Sequence, residues 1–298
     1  MDGIPRIESI VMHAPRALLT GFGRILASCL SVVAHRRPPL LPRLDHALFA
    51  RAAVLVLSIA LPQGAWEAAS APLTGGGPAF AALVFTKTSG FRHDSIPAGI
   101  TAIKSLGEQH NFRVDASEDG TVFTDENLAR YQVVIFFSTT GDVLAPGEQA
   151  AFERFIRRGG GFVGVHAAVD SGYDWPWYGG LVGTYFDSHP DIQPALLKVV
   201  DATHVSTKHL PAQWTRTDEW YNFRADPSPY VRVLIQIDET TYSGGRMGAH
   251  HPISWCHAYE GGRAWYTAMG HTTETYQDPL FLSHLLGGIR WAAGTTPE

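Results

Sequence analysis

Cysteine is almost absent. Only Cys29 and Cys256 occur in 298 residues, in segments of different character, which excludes a disulfide framework and a thiolate metal site. Positive charge is also scarce: 23 Lys and Arg against 28 Asp and Glu leave a formal net charge of −5, so the chain has no electrostatic footprint for nucleic acid. No apolar run approaches the roughly 20 residues of a stable membrane span. HExxH, HxH and paired CxxC spacings are missing, so any metal ligands must come from separate loops. No internal repeat is present.

What the chain does have begins with a leader. The basic stretch from Arg43 to Arg51 precedes the apolar run from Ala52 to Leu61, and small residues follow between Ala65 and Ala71. This is the pattern of a signal-peptide h-region (52–61) with a cleavage zone, and it predicts an exported protein, periplasmic or secreted. The signal lies far from Met1, which fits either a start codon placed upstream of the true one or a longer, uncleaved anchor. A buried helix of the domain is the structural alternative. Gly75-Gly-Gly-Pro78 marks the boundary, giving a leader over residues 1–78 and one domain over 79–294. Cys29 belongs to the leader, and Cys256, in the strand-like Ile253-Ser-Trp-Cys-His257, reads as a small buried hydrophobe.

Strands and helices alternate through the first half, which predicts an α/β fold with a parallel sheet and helices on both faces. Apolar runs place strands at 79–85, 112–116, 133–137 and 161–165. Helices are expected from Asp94 or Ser95 to about Gln109, and from Pro146 to Arg158 with Phe152, Phe155 and Ile156 on one stripe. Beyond Asp170 the sequence is richer in aromatics and prolines, with further β segments at 196–200, 231–237, 253–259 and 263–267. A final helix, capped by Asp278-Pro279, runs to Trp291. Right-handed crossovers place the loops after the first and fourth strands on the same carboxyl edge.

The segment Gly159-Gly-Gly-Phe-Val-Gly-Val-His-Ala-Ala-Val-Asp170 carries the chemistry. An apolar strand runs into small residues with His166 at the turn, and Gly164 and Ala168 occupy the flanking positions that a strained strand-to-helix elbow needs to be small. An imidazole held there serves as base, acid or metal ligand and is a poor acyl-transfer nucleophile.

Several motifs then fall in one order. They are Thr86-Lys-Thr-Ser-Gly-Phe-Arg-His-Asp-Ser95, Gly164-Val-His-Ala-Ala168, His189-Pro190, Asp218-Glu219, His251-Pro-Ile-Ser-Trp-Cys256, Gly261-Gly-Arg-Ala-Trp-Tyr-Thr267 and Gly270-His271. In order and spacing the chain resembles the ThuA-like (trehalose utilisation) family over nearly all of residues 79–294. The resemblance implies a class I glutamine amidotransferase-like fold with a flavodoxin-like parallel sheet, and a role in the metabolism of trehalose or related, oxidised sugars. Glutaminase chemistry needs a cysteine at the elbow, where this chain has His166; that activity is set aside.

His166 and His93 are assigned to the site, with Asp218 or Glu219 as the acid partner that fixes an imidazole tautomer. Asp170 is a further acid within reach. Arg92 is expected to orient hydroxyls beside His93. Trp175, Trp177 and Trp220, with Tyr221, are expected to stack on a pyranose face, the first two from a partly exposed loop that also carries Tyr173 and Tyr178. His251 and His271 are placed as substrate contacts, and His189, before Pro190, as ordering a turn. His110, His204, His209, His257 and His284 are read as packing or surface residues. His93, His166, His251, His271 and Glu219 would suit zinc or manganese.

The resulting expectation is an exported α/β protein that binds a sugar or keto-sugar in a crevice at the carboxyl edge and transforms it, by glycosidic hydrolysis or by proton abstraction beside a ketone. Two alternatives stand beside it: a non-catalytic sugar-binding protein working with a separate dehydrogenase or hydrolase, and a metal-dependent hydrolase. No motif encodes the oligomeric state.

Overall fold

The computed structural model of the chain describes residues 77–296. The leader expected over 1–78, including the apolar segment 52–61, lies outside the described residues except for its last two positions. Among the described residues no helix is long and apolar enough to cross a membrane.

The elements follow in the order β1 (Ala81–Phe85), α1 (Ile96–Gln109), β2 (Arg113–Ser117), α2 (Asp125–Leu128), β3 (Val133–Phe137), α3 (Pro146–Arg157), β4 (Gly161–Val165), α4 (Pro176–Val182), β5 (Phe186–Ser188), β6 (Gln193–Val199), β7 (Gln213–Asp218), β8 (Asn222–Phe223), β9 (Arg232–Ile237), β10 (Pro252–Tyr259), β11 (Gly262–Thr267) and α5 (Pro279–Ala292). Every residue of β1, β3 and β4 is buried, as continuous apolar runs require when both sheet faces are covered. The coverage is visible on β3, where successive side chains point to opposite faces. Phe136 packs on Phe152 of α3 and Tyr178 of α4, while Phe137 faces Gly99 of α1 and Tyr276.

Nine strands form one mixed sheet in the order β2-β1-β3-β4-β11-β10-β9-β6-β7. The first five are mutually parallel, and β10, β9, β6 and β7 continue the sheet antiparallel. This is an α/β, flavodoxin-like arrangement, with the β segments of the second half extending the same sheet. Strands β5 and β8 pair separately. Neither β7 nor this short pair is anticipated by an apolar run, because β7 (Gln213–Asp218) mixes buried and exposed residues and carries polar side chains at every position but Trp214.

Ser95 precedes α1 and Pro97 sits in its first turn, while the Asp278 side chain accepts from Leu280 N at 2.9 Å to cap α5, as the sequence signals indicate. In α5, Gly288 lies flat against the Trp265 indole of β11; a Cβ there would stand 2.4 Å from the ring.

The carboxyl edge of the parallel strands positions the site. The loops after β1, β4 and β11 emerge there, and because β11, β9 and β7 run the same way, so does the end of β7. In a flat sheet four strand spacings of ~4.8 Å would hold β7 about 19 Å from β11. Instead Asp218 Oδ2 accepts from Gly270 N and Oδ1 from His271 N, both at 3.0 Å. The sheet coils back over its own edge, and the register irregularities between β10 and β9 at Pro252, Ser254 and Trp255 supply local bends.

Candidate active site

His166 begins the turn after β4 with φ of +51°. This left-handed conformation strains a residue with a Cβ and raises the imidazole above the sheet edge. The bend depends on Gly164: a Cβ there would lie 2.9 Å from the Tyr266 ring and 3.2 Å from Ala168 Cβ. The expected helix after the elbow is a single 3-10 stretch, His166–Asp170. Tyr266 Oη donates to the His166 carbonyl at 2.8 Å, holding the elbow from below.

The His166 ring is fully buried. Its Nδ1 lies 2.8 Å from the Ala268 carbonyl, which only accepts, so Nδ1 carries the proton and Nε2 turns its lone pair outward. Around Nε2 stand Tyr221 Oη at 3.0 Å, His271 Nδ1 at 3.1 Å and Glu219 Oε2 at 3.4 Å. His271 Nδ1 is itself 3.0 Å from Glu219 Oε2. The other carboxylate oxygen, Oε1, is 3.1 Å from His189 Nδ1. His93 closes the group edge-to-face, its ring centroid 4.7 Å from that of His166 and 5.0 Å from that of His271.

Electrostatics follows from this packing. Burial, reinforced by the neighbouring His166 and His271, pushes His93 down to about 3. Burial alone would raise Glu219, but the His166 and His271 imidazoles beside it outweigh burial and hold its carboxyl well below the usual carboxylate range. For His271 burial is likewise overcome, here by Glu219, and its pKa is raised. Asp170 is raised by burial, against the pull of the Tyr173 hydroxyl 2.5 Å away.

His93, Glu219, Tyr221 and His271 line a crevice of about 340 Å³ together with Phe91, Asp170, Phe186 and His189, and His166 lies fully buried behind them, a volume within the size range of small-ligand sites. A larger hollow of about 530 Å³ between α1 and residues 273–282 is lined mainly by apolar and amide groups and offers no comparable chemistry.

The structure thus brings together His93, His166, Glu219, Tyr221 and His271 from the loops after β1, β4, β7 and β11. It separates others that the sequence grouped with them. Arg92 is half exposed and pairs with Glu118 at 2.6 Å, and it is not among the residues that line the crevice. Asp218 is fully buried and structural, tied to Arg216, Thr275 and the 270–271 backbone. His251 has both nitrogens engaged, with Glu239 Oε1 and the Tyr221 carbonyl each at 2.8 Å, and leaves the metal-ligand set.

The three tryptophans are also absent from the crevice lining. Trp220 is fully buried with Nε1 donating to the Gln193 carbonyl. Trp175 is buried against Tyr178 and donates to Glu153. Trp177 opens α4 and donates to Glu260, at the turn that leads into the amino end of β11 and so at the opposite edge from the cluster. The expected exposed aromatic loop is instead helix α4 packed on β3 and α3. The aromatic lining comes from Phe91, which lies within the 86–95 motif, from Phe186, which no sequence signal singles out, and from Tyr221. His189 is also drawn into the site, and its position in the His189-Pro190 motif was the available signal.

An imidazole-carboxylate cluster at the carboxyl edge of a flavodoxin-like sheet, with histidine at the elbow, defines an α/β protein whose candidate site is built from imidazoles and one carboxylate. The sequence profile of the ThuA family, described as trehalose utilisation, matches residues 81–292, and the chain belongs to that family. It is similar in structure to a ThuA-like protein from Bacteroides uniformis, with 27% identity over 73% of this chain and 93% of that one at a TM-score of 0.64. A ThuA-like protein from Parabacteroides merdae aligns with 23% identity over 74% and 91% of the two chains at a TM-score of 0.62. A cytoplasmic protein from Salmonella typhimurium shares the fold, with 13% identity over 71% and 99% at a TM-score of 0.52. No curated protein matches the sequence.

Proposed function

We propose that this ThuA-family chain is an exported protein of carbohydrate metabolism that binds a sugar or keto-sugar in the carboxyl-edge crevice and transforms it. One observation carries the reading: His93, His166, Glu219 and His271, far apart in sequence, converge at the base of a crevice whose walls include Phe91, Phe186 and Tyr221. Convergent polar groups beneath apolar walls suit a pyranose, which needs hydrogen bonds to its hydroxyls and an apolar surface for its C–H face. His166 Nε2, with its tautomer set by Ala268, presents the basic nitrogen. Asp170 and the rim residue His189 are placed to exchange protons with the substrate. The signal-like segment 52–61 supports export.

The test is calorimetry and product chromatography on the purified protein with trehalose and 3-keto-glucosides. The expected result is binding accompanied by turnover, with turnover lost in His166→Ala. Binding without product over long incubation would favour the accessory sugar-binding role, and neither binding nor product would overturn the reading. Export is checked by sequencing the mature amino terminus, expected between residues 66 and 78; intact protein confined to the cytosol would contradict it.

A further inference from the structure

We propose that His93, His166, His271 and Glu219 together bind one divalent first-row transition metal ion, zinc or manganese, at the floor of the crevice. The proposal deepens the sugar-site reading and rests on it for the ligand that completes the coordination shell.

The first argument is geometric. One donor atom from each of the four residues lies within 4.8 Å of all the others. Three of them, His166 Nε2, His271 Nδ1 and Glu219 Oε2, form a triangle with sides of 3.1, 3.0 and 3.4 Å. Ligand atoms bound at ~2.05 Å around a tetrahedral ion stand about 3.3 Å apart, so this triangle already has the dimensions of one face of a coordination polyhedron. His93 sits over its edge as the fourth donor.

The second argument concerns protons. Because the Ala268 carbonyl takes the Nδ1 proton of His166, the Nε2 lone pair faces the Glu219 carboxylate with no hydrogen between them in the neutral ring. The Tyr221 hydroxyl can satisfy Nε2 and His271 Nδ1 can donate to Glu219 Oε2, but neither fills the 3.4 Å edge between Nε2 and Oε2 themselves. A cation belongs in that gap, either a second proton or a metal. His93 favours the metal: its ring is 4% exposed, and its buried Nδ1 has no hydrogen-bond partner among the described residues, a costly state for a polar atom unless something is bound there.

The surroundings are those of a built site. The bond from His166 to a backbone carbonyl is the outer contact that orients metal-bound histidines, and His189 on Oε1 turns Oε2 of Glu219 toward the triangle. Three imidazoles and one carboxylate suit zinc or manganese rather than calcium or magnesium, which prefer all-oxygen shells. The side of the cluster open to the crevice leaves room for two vicinal oxygens of a sugar or the carbonyl of a keto-sugar. The substrate would then meet the His166 lone pair through the ion, leaving Asp170 and His189 as the proton-transfer groups.

The experiment is elemental analysis of the full chain, purified without a histidine tag, as isolated and after chelator treatment and reloading with zinc or manganese alone. Close to one ion per chain is expected, together with a rise in melting temperature on reloading and, with cobalt(II), the visible absorption of a nitrogen- and oxygen-ligated ion. Glu219→Gln and His93→Ala, checked for folding by circular dichroism, should each weaken affinity by about 100-fold or more while retaining secondary structure. Folded wild-type protein that takes up no stoichiometric metal and shows no cobalt spectrum would overturn the proposal. The two readings separate cleanly: keto-sugar binding by folded protein that takes up no metal sinks the metal site and leaves the sugar reading, whereas stoichiometric metal without any sugar affinity does the reverse.

Discussion

Asp218 and Glu219 are consecutive in the chain and hold opposite posts. The Asp218 carboxylate, fully buried, clamps the 270–271 backbone and pairs with Arg216 at 3.3 Å; the Glu219 carboxylate faces three imidazoles at the crevice floor. The end of β7 therefore divides structure from chemistry between adjacent residues, and Asp218 sets the position of His271 through its amide.

Substitution should separate these posts. Asp218→Asn leaves Arg216, whose side chain is 7% exposed, with only the partly exposed Asp278 at 3.3 Å as counter-charge and weakens the clamp on the 270–271 amides, and it is expected to lower stability by about 2–3 kcal/mol. Glu219→Gln should lose no more than about 1.5 kcal/mol while abolishing turnover. Urea unfolding followed by activity assay checks both, and equal destabilisation by the two variants would contradict the division.

The elbow gives a second expectation. At φ of +51° a Cβ is strained and glycine is not, so His166→Gly should be more stable than His166→Ala by about 1 kcal/mol although both remove the imidazole. Equal melting temperatures for the two would show that the backbone relaxes when the ring is gone.

Helix α5 docks through Gly288, where an added methyl meets the rigid, fully buried Trp265 indole at 2.4 Å. Gly288→Ala should cost about 2–3 kcal/mol by overpacking, despite the better helix propensity of alanine. Chemical denaturation measures it, and a stabilised variant would show that the α5 contact has been misjudged.

Acid sensitivity should come from histidines outside the crevice as well. Burial pushes His284 down to about 3 and His204 down to about 4, so both are neutral in the fold. As pH falls below 6.5 the unfolded chain takes up protons that the native chain refuses. The stabilisation from these groups is full above pH 6.5 and is lost as pH falls toward 4 for His204 and toward 3 for His284, each group contributing a slope of about 1.4 kcal/mol per pH unit. His284→Gln should flatten the stability profile between pH 6 and 4 by about one such slope relative to wild type, and an unchanged profile would refute the buried neutral state.

The sequence by itself determined the parallel half of the fold. The runs at Ala81–Phe85, Val133–Phe137 and Gly161–Val165 are apolar throughout because both their faces are covered. Caps and glycines mark the helix ends, and the small residues around His166 announce the elbow. Those are local constraints, written in neighbouring residues. Which acids and aromatics reach the site was decided only by tertiary structure. The coiling of the sheet brings the end of β7 onto the β11 loop, so Glu219 enters the site while adjacent Asp218 and Trp220 turn inward. Trp175 and Trp177 pack with α4 against α3, and Phe186 and His189 arrive from the short strand β5 and the residue after it, a segment with no apolar run of its own. Such choices depend on strand curvature and on which way a side chain faces, and neither is carried by spacing along the chain.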